Sequence, residues 1–170
     1  LSRETARGHW SLTSGSTGVN TRVFWEQRAH LSSLRARYRF LDAWGVDIFD
    51  RSTMLWGDRT GLLPASQRAR SLIVRSVQDR LRRRLRLSAN RLDRTTLRSH
   101  LRRMARFRPA VLYAYSSAAY LLAREAIESG FRCKSLRLVI LTADMATPHM
   151  VETIERAFGV PAVMEYGSVE

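Results

Sequence analysis

Leu136-Arg137-Leu138-Val139-Ile140-Leu141 carries the reading of the fold. Its apolar residues run almost without a break, where a strand with one wet face would alternate. Such a run reads as a strand buried on both faces, as in a parallel sheet. The segments around it alternate in kind. Downstream, Pro148 opens a helix that runs to Phe158 and Gly159 closes it, and a strand follows over 163–166. Upstream, 116–129 spells a helix closed by Gly130, and 111–113 spells a strand. Strand and helix alternate through the second half of the chain. The fold class is therefore α/β, with a mainly parallel sheet flanked by helices.

Working outward, Asp93 stands at an N-cap position. Behind it Leu97, Leu101 and Met104 recur at helical spacing over 93–106. Short strands are expected near 86–88 and over 53–56, with a helix over 66–81 and a loop over 57–64. Leu31, Leu34, Tyr38 and Leu41 give a helix over 26–44, ended by Gly45. Residues 10–13 and 21–25 read as two strands of a hairpin.

That hairpin would enclose Leu12-Thr13-Ser14-Gly15-Ser16-Thr17-Gly18. Glycine lets the main chain approach a ligand closely, and successive backbone N–H groups form a concavity that holds anions, phosphate above all. The hydroxyls add uncharged donors. No Gly-Lys-Ser/Thr closes the loop, so it is not a Walker A loop. At the far end, 162–170 reads Ala-Val-Met-Glu-Tyr-Gly-Ser-Val-Glu, a strand running into an aromatic, a glycine and a carboxylate. Ligands of open α/β sheets sit beyond the carboxyl ends of the strands.

Together these motifs resemble the adenylate-forming superfamily, whose phosphate loop reads Thr-Ser-Gly-Ser/Thr-Thr-Gly and whose later motif reads Tyr-Gly-x-Thr-Glu. Within it they are most similar to the phenylacetate-CoA ligase and capsular-polysaccharide CapK branch. Trp56-Gly57-Asp58-Arg59, the segment from Arg108-Pro109 to Tyr115-Ser116, and Leu138 to Asp144 follow in the same order as that branch's segments. Three positions depart from the pattern. Asn20 stands for a proline after the loop, Ala143-Asp144 for a Gly-Glu, and Val169 for the threonine.

The resemblance implies ATP-dependent adenylation of a small-molecule carboxylic acid with release of pyrophosphate, and coenzyme A as a candidate acceptor in a second step. Thr13, Ser14, Gly15, Ser16, Thr17 and Gly18 would hold the β- and γ-phosphates. Tyr166 would flank adenine, with Gly167 giving close approach and Ser168 beside it. Glu170 would hold Mg²⁺, and Thr17 and Glu170 would carry catalysis. Ala143 and Asp144, with Thr142, would line the adenine or acyl pocket, although Asp144 is equally placed to cap the next helix. Tyr115 and Ser116 fall where the branch shapes its acyl pocket, and Arg22 could add charge to the phosphates. Residues 1–170 would then be part of a large N-terminal domain, with the small C-terminal domain absent.

Composition sets the remaining bounds. The formal net charge is +14 and Lys134 is the only lysine. Arg94, Arg98, Arg102 and Arg106 form a stripe on the expected helix. Such a stripe reads as a solvated face, as a contact for nucleic acid or another acidic polymer, or as a contact for a missing acidic part of the same protein. No zinc-finger, RNA-recognition or basic-zipper pattern accompanies it, so a nucleic-acid partner is not expected. A non-catalytic basic binding domain, or a relative that binds nucleotide without turnover, are the competing readings. Cys133 is the lone cysteine, which fits a reducing cytoplasm. His9, His30, His100 and His149 lack metal-site spacing. No apolar run reaches the length of a membrane span.

Overall fold

The computed structural model describes residues 8–12, 22–57 and 65–165. Two compact units divide the chain, Leu1–Gly45 with Gly167–Glu170, and Val46–Tyr166. In the first, β1 (Gly8–Leu12) and β2 (Arg22–Glu26) pair antiparallel, with Leu12 opposite Arg22 and Gly8 opposite Glu26. The expected hairpin therefore forms. Trp10 faces Phe24 across it at 5.2 Å between ring centroids. Gly8 is obligatory here, because a Cβ would lie 2.2 Å from the Trp25 carbonyl oxygen. Helix α1 (Gln27–Ala43) follows β2 directly.

The second unit holds β3 (Ser52–Trp56), α2 (Ala65–Leu81), β4 (Arg84–Ser88), α3 (Arg94–Phe107), β5 (Val111–Tyr115), α4 (Ser116–Glu128), β6 (Leu138–Thr142), α5 (Pro148–Phe158) and β7 (Ala162–Met164). The strands form one sheet in the order β4-β3-β5-β6-β7, with every neighbouring pair parallel. After β4 the chain crosses to the far side of β3. That reversal puts a topological switch point between β3 and β5.

All five residues of β6 are buried, as its unbroken apolar run requires. Leu55, Leu87, Leu112, Ala114, Val139 and Leu141 point from the sheet into one core. Helices α3, α4 and α5 cover that face with Leu97, Leu101, Met104, Leu122, Ile154 and Phe158. Helix α2 meets β4 on the opposite face, where the Asp79 carboxylate accepts from Arg86 Nε at 2.6 Å.

Local signals set the helix ends. The Asp93 carboxylate accepts the Thr96 N–H at 3.0 Å, the cap its position implies. Thr147 caps α5 and Pro148 opens it; Gly159, at φ 69°, closes it. The boundaries differ modestly from the expected ones. β4 begins at Arg84 through its pairing with Ser52 of β3, and β5 continues to Tyr115 through its pairing with Thr142 of β6.

The arginine stripe is not a plain solvated face. Glu125 of α4 is only 5% exposed, and it accepts Arg98 Nε at 2.6 Å and pairs with Arg94 Nε at 3.3 Å. Arg94 also reaches Glu128. Half of the stripe therefore binds α3 to α4 within the chain, while Arg102 and Arg106 are exposed.

Candidate functional site

The carboxyl ends of the parallel strands converge on Trp56-Gly57, Ser88, Tyr115-Ser116, Thr142-Ala143-Asp144 and Glu165. At the switch point Trp56 stacks on Tyr113, with centroids 5.6 Å apart and planes 5° apart, and packs against Tyr115 at 4.3 Å. The side-chain alternation of β3 and β5 produces this cluster, since Met54 and Tyr113 are paired in register and share that face with Trp56 and Tyr115. A groove of about 540 Å³ opens beside Trp56 and Gly57, walled by Leu72, Ser76 and Asp79 of α2 and by Arg86 and Ser88 of β4. An apolar ring cluster with polar groups converging at a sheet's carboxyl end is what a small-molecule site requires.

The end of β6 is a strained corner. The Asp144 N–H donates to the Thr142 carbonyl at 3.0 Å, which closes a γ-turn about Ala143. Ala143 has φ 73°, a region that suits glycine and costs other residues about 1–2 kcal/mol. This is the position where the resembled pattern has glycine, so the departure at Ala143 keeps the corner and carries its strain. Such outliers cluster at functional sites.

The Asp144 carboxylate does not cap the next helix, α5, because it is held by the start of α4. Oδ1 accepts the Ser116 N–H at 2.6 Å and Oδ2 accepts the Ser117 N–H at 2.8 Å, so it caps the preceding helix, α4. The Ser116 hydroxyl donates to the Asp144 carbonyl at 2.7 Å and is buried. Sequence spacing hides this cap because 28 residues separate the partners. Burial pushes the Asp144 carboxyl up, but the hydrogen bonds from Ser117 and Ser116 together outweigh it and hold its pKa below the ordinary carboxylate value.

Two further groups stand at this end of the sheet without having been singled out in the sequence. Glu165, just past β7, has Oε2 buried and without a hydrogen-bond partner. His100 of α3 shares its Nε2 with the Ser88 carbonyl at 2.9 Å, below the end of β4. Its Nδ1 is buried with no partner. Burial lowers the His100 pKa; the Ser88 carbonyl opposes that shift, Arg103 adds to it and Asp93 opposes it.

Thr13, Ser14, Gly15, Ser16, Thr17 and Gly18, together with Tyr166, Gly167, Ser168 and Glu170, lie outside the described residues. β1 and β2 do bring Leu12 and Arg22, which flank the loop, opposite each other. The Arg22 guanidinium lies over the Trp10 ring at 5.1 Å. Among the described residues no three His, Cys, Asp or Glu side chains gather to hold a metal, and no helix is long and apolar enough to cross a membrane.

No family model matches the chain, and no curated protein matches its sequence. Solved structures do match. The chain is similar to 2-hydroxyisobutyryl-CoA ligase in the postadenylation state in complex with 2-HIB-AMP, at a TM-score of 0.63 and 19% identity, over 94% of this chain and 32% of that one. It is similar to the anthranilate CoA ligase AuaEII in complex with anthranoyl-AMP, at a TM-score of 0.61 and 17% identity, over 95% of this chain and 29% of that one. It is also similar to the luciferase-like enzyme of the nonluminescent mealworm Zophobas morio, at a TM-score of 0.59 and 16% identity, over 95% and 34%. The chain thus shares the α/β fold of a part of these enzymes and spans about a third of their length.

Proposed function

We propose that this chain is the partial N-terminal, ATP- and acyl-binding domain of an adenylate-forming ligase of the phenylacetate-CoA ligase and CapK kind. The observation that carries the reading is the likeness over 94% of the chain to a ligase holding an acyl adenylate, in a chain whose loop at 13–18 is composed for phosphate. In the reaction, a carboxylate oxygen of the acid attacks the α-phosphorus of ATP. The acyl–phosphate bond forms, the bond to the β-phosphate breaks, and pyrophosphate leaves with its electron pair. No nucleophilic side chain is needed, and catalysis rests on positioning and charge stabilisation.

Thr13, Ser14, Gly15, Ser16, Thr17 and Gly18 hold the β- and γ-phosphates through backbone N–H groups and hydroxyls. Tyr166 flanks adenine, with Gly167 and Ser168 beside it. Trp56 and Tyr115 wall the acyl end of the site. Ala143 turns the chain so that the Thr142 end of β6 stays open toward the ligand, while Asp144 anchors α4 behind it. The unpartnered oxygen of Glu165 fits a group that takes a cation or a hydroxyl donor, and Glu170 is the proposed magnesium ligand. Glu170 would hold the magnesium ion, which would supply charge neutralisation to the phosphates. Coenzyme A is the proposed acceptor of the acyl group.

The test is acid-dependent exchange of labelled pyrophosphate into ATP, run on the gene product containing this chain against a panel of aryl and short aliphatic acids. Exchange with at least one acid, lost in Thr17→Val/Gly18→Pro, supports the reading. Nucleotide binding with no exchange for any acid identifies a relative that binds without turnover.

A further inference from the structure

The formal net charge is +14, and four arginines gather at the amino end of the sheet. Arg51, Arg83 and Arg137 each stand one residue before a strand, β3, β4 and β6 in turn. Arg108 stands on the lead-in to β5. With Asp50 and Ser135 these four arginines line a cavity of about 360 Å³. Their backbones are tied together. The Ser52 N–H donates to the Arg83 carbonyl at 3.1 Å, the Ala110 N–H to the Arg51 carbonyl at 2.8 Å, and the Arg137 N–H to the Ala110 carbonyl at 2.8 Å. The bases of the four side chains are therefore fixed relative to one another by the sheet.

The charges are not balanced within the cavity. Arg137 pairs with Asp50. Arg51 Nη1 donates to the Phe107 carbonyl at 2.9 Å and Arg83 Nη1 to the Phe49 carbonyl at 3.1 Å, and both acceptors are neutral. Each guanidinium has five N–H donors, so one such bond leaves donors to spare. Among the described residues, Asp50 is the sole carboxylate lining a cavity that four guanidiniums share. Gathering like charges is unfavourable unless an anion joins them. Two of the four also hold strained backbone, Arg83 at φ 48° and Arg108 at φ 54°, where glycine or asparagine is the usual occupant.

We propose that this cavity binds a compact multivalent phosphate, such as pyrophosphate or a bisphosphate. Planar guanidiniums match phosphoryl oxygens in pairs, and four of them around a volume of about 360 Å³ suit a small anion of several charges. The inference does not rest on the adenylation reading, since it uses the amino end of the sheet and none of the loop at 13–18.

The test is titration calorimetry of inorganic pyrophosphate into the 170-residue chain, without magnesium and at constant ionic strength. Saturable one-site binding is expected, weakened at least tenfold in Arg51→Gln/Arg108→Asn, in which asparagine suits the left-handed backbone. Arg83→Asn serves as a second variant, and circular dichroism checks the folding of each. Binding should persist in Gly15→Pro/Thr17→Val, which separates this cavity from the loop, and in Arg102→Gln/Arg124→Gln, two exposed arginines of α3 and α4 outside the cavity. The proposal fails if the parent shows no saturable binding or if the cavity variants bind as it does. It fails equally if the Arg102/Arg124 or loop variant loses binding to the same degree as the cavity variants.

Discussion

The Asp144 carboxylate grips the first turn of α4, with Oδ1 2.6 Å from the Ser116 nitrogen. Two N–H groups that a helix start leaves unsatisfied, those of Ser116 and Ser117, end on one side chain from another loop. Asp144→Ala should lower stability by about 1–2 kcal/mol, the loss of a helix cap, as read by urea denaturation. Because the folded carboxyl has the lower pKa, its contribution is full above the unfolded value of about 3.9 and is lost as pH falls through the folded value. The gap between parent and variant should thus close below pH 4. An equal gap at pH 3 and pH 7 would contradict the assignment.

Ala143 tests the strained corner. Glycine removes a Cβ penalty of about 1–2 kcal/mol at φ 73° and loses about 0.4–1 kcal/mol to the looser unfolded chain. Ala143→Gly should therefore raise stability by up to about 1.6 kcal/mol. A measured decrease would mean that the alanine methyl makes a contact of greater worth.

Much of this architecture was legible in the sequence, and the part that was not has a physical cause. β6 showed itself because burial on both faces leaves no polar residue in Leu138–Thr142 until its end. Helices α3 and α5 showed themselves because Asp93, Pro148 and Gly159 act on their own immediate neighbours. The Asp144 cap and the Glu125 anchor were hidden because their partners are 28 and 27 residues away. The stripe of Arg94 and Arg98 looked solvent-facing for the same reason: its acid lies on the next helix. The stacking of Trp56 on Tyr113 was hidden as well, because it comes only from strand register.

Glu125 gives an asymmetric prediction. Its side chain is 5% exposed, against 62% and 50% for Arg94 and Arg98. Glu125→Gln frees two arginines that water can solvate, and should cost about 1 kcal/mol or less. Arg94→Ala/Arg98→Ala instead leaves a buried carboxylate without its partners, and should cost about 2–4 kcal/mol. Thermal denaturation of both variants checks the order, and the reverse order would contradict it.

His100 makes stability depend on pH near neutrality. Burial lowers its folded pKa, so the unfolded chain binds the extra proton first. Its contribution is full above the unfolded value of about 6.5 and is lost as pH falls from there toward the folded value. Stability should drop between pH 7 and pH 5 in the parent and less so in His100→Gln. Parallel profiles for the two proteins would assign the drop to other groups.

The most direct measurement is calorimetric titration of Mg-ATP into the 170-residue chain, beside its Gly15→Pro/Thr17→Val variant. Saturable binding by the parent that the variant loses is the predicted result. Binding that survives the substitutions, or no binding by the parent, would contradict the assignment of residues 13–18 as the phosphate site.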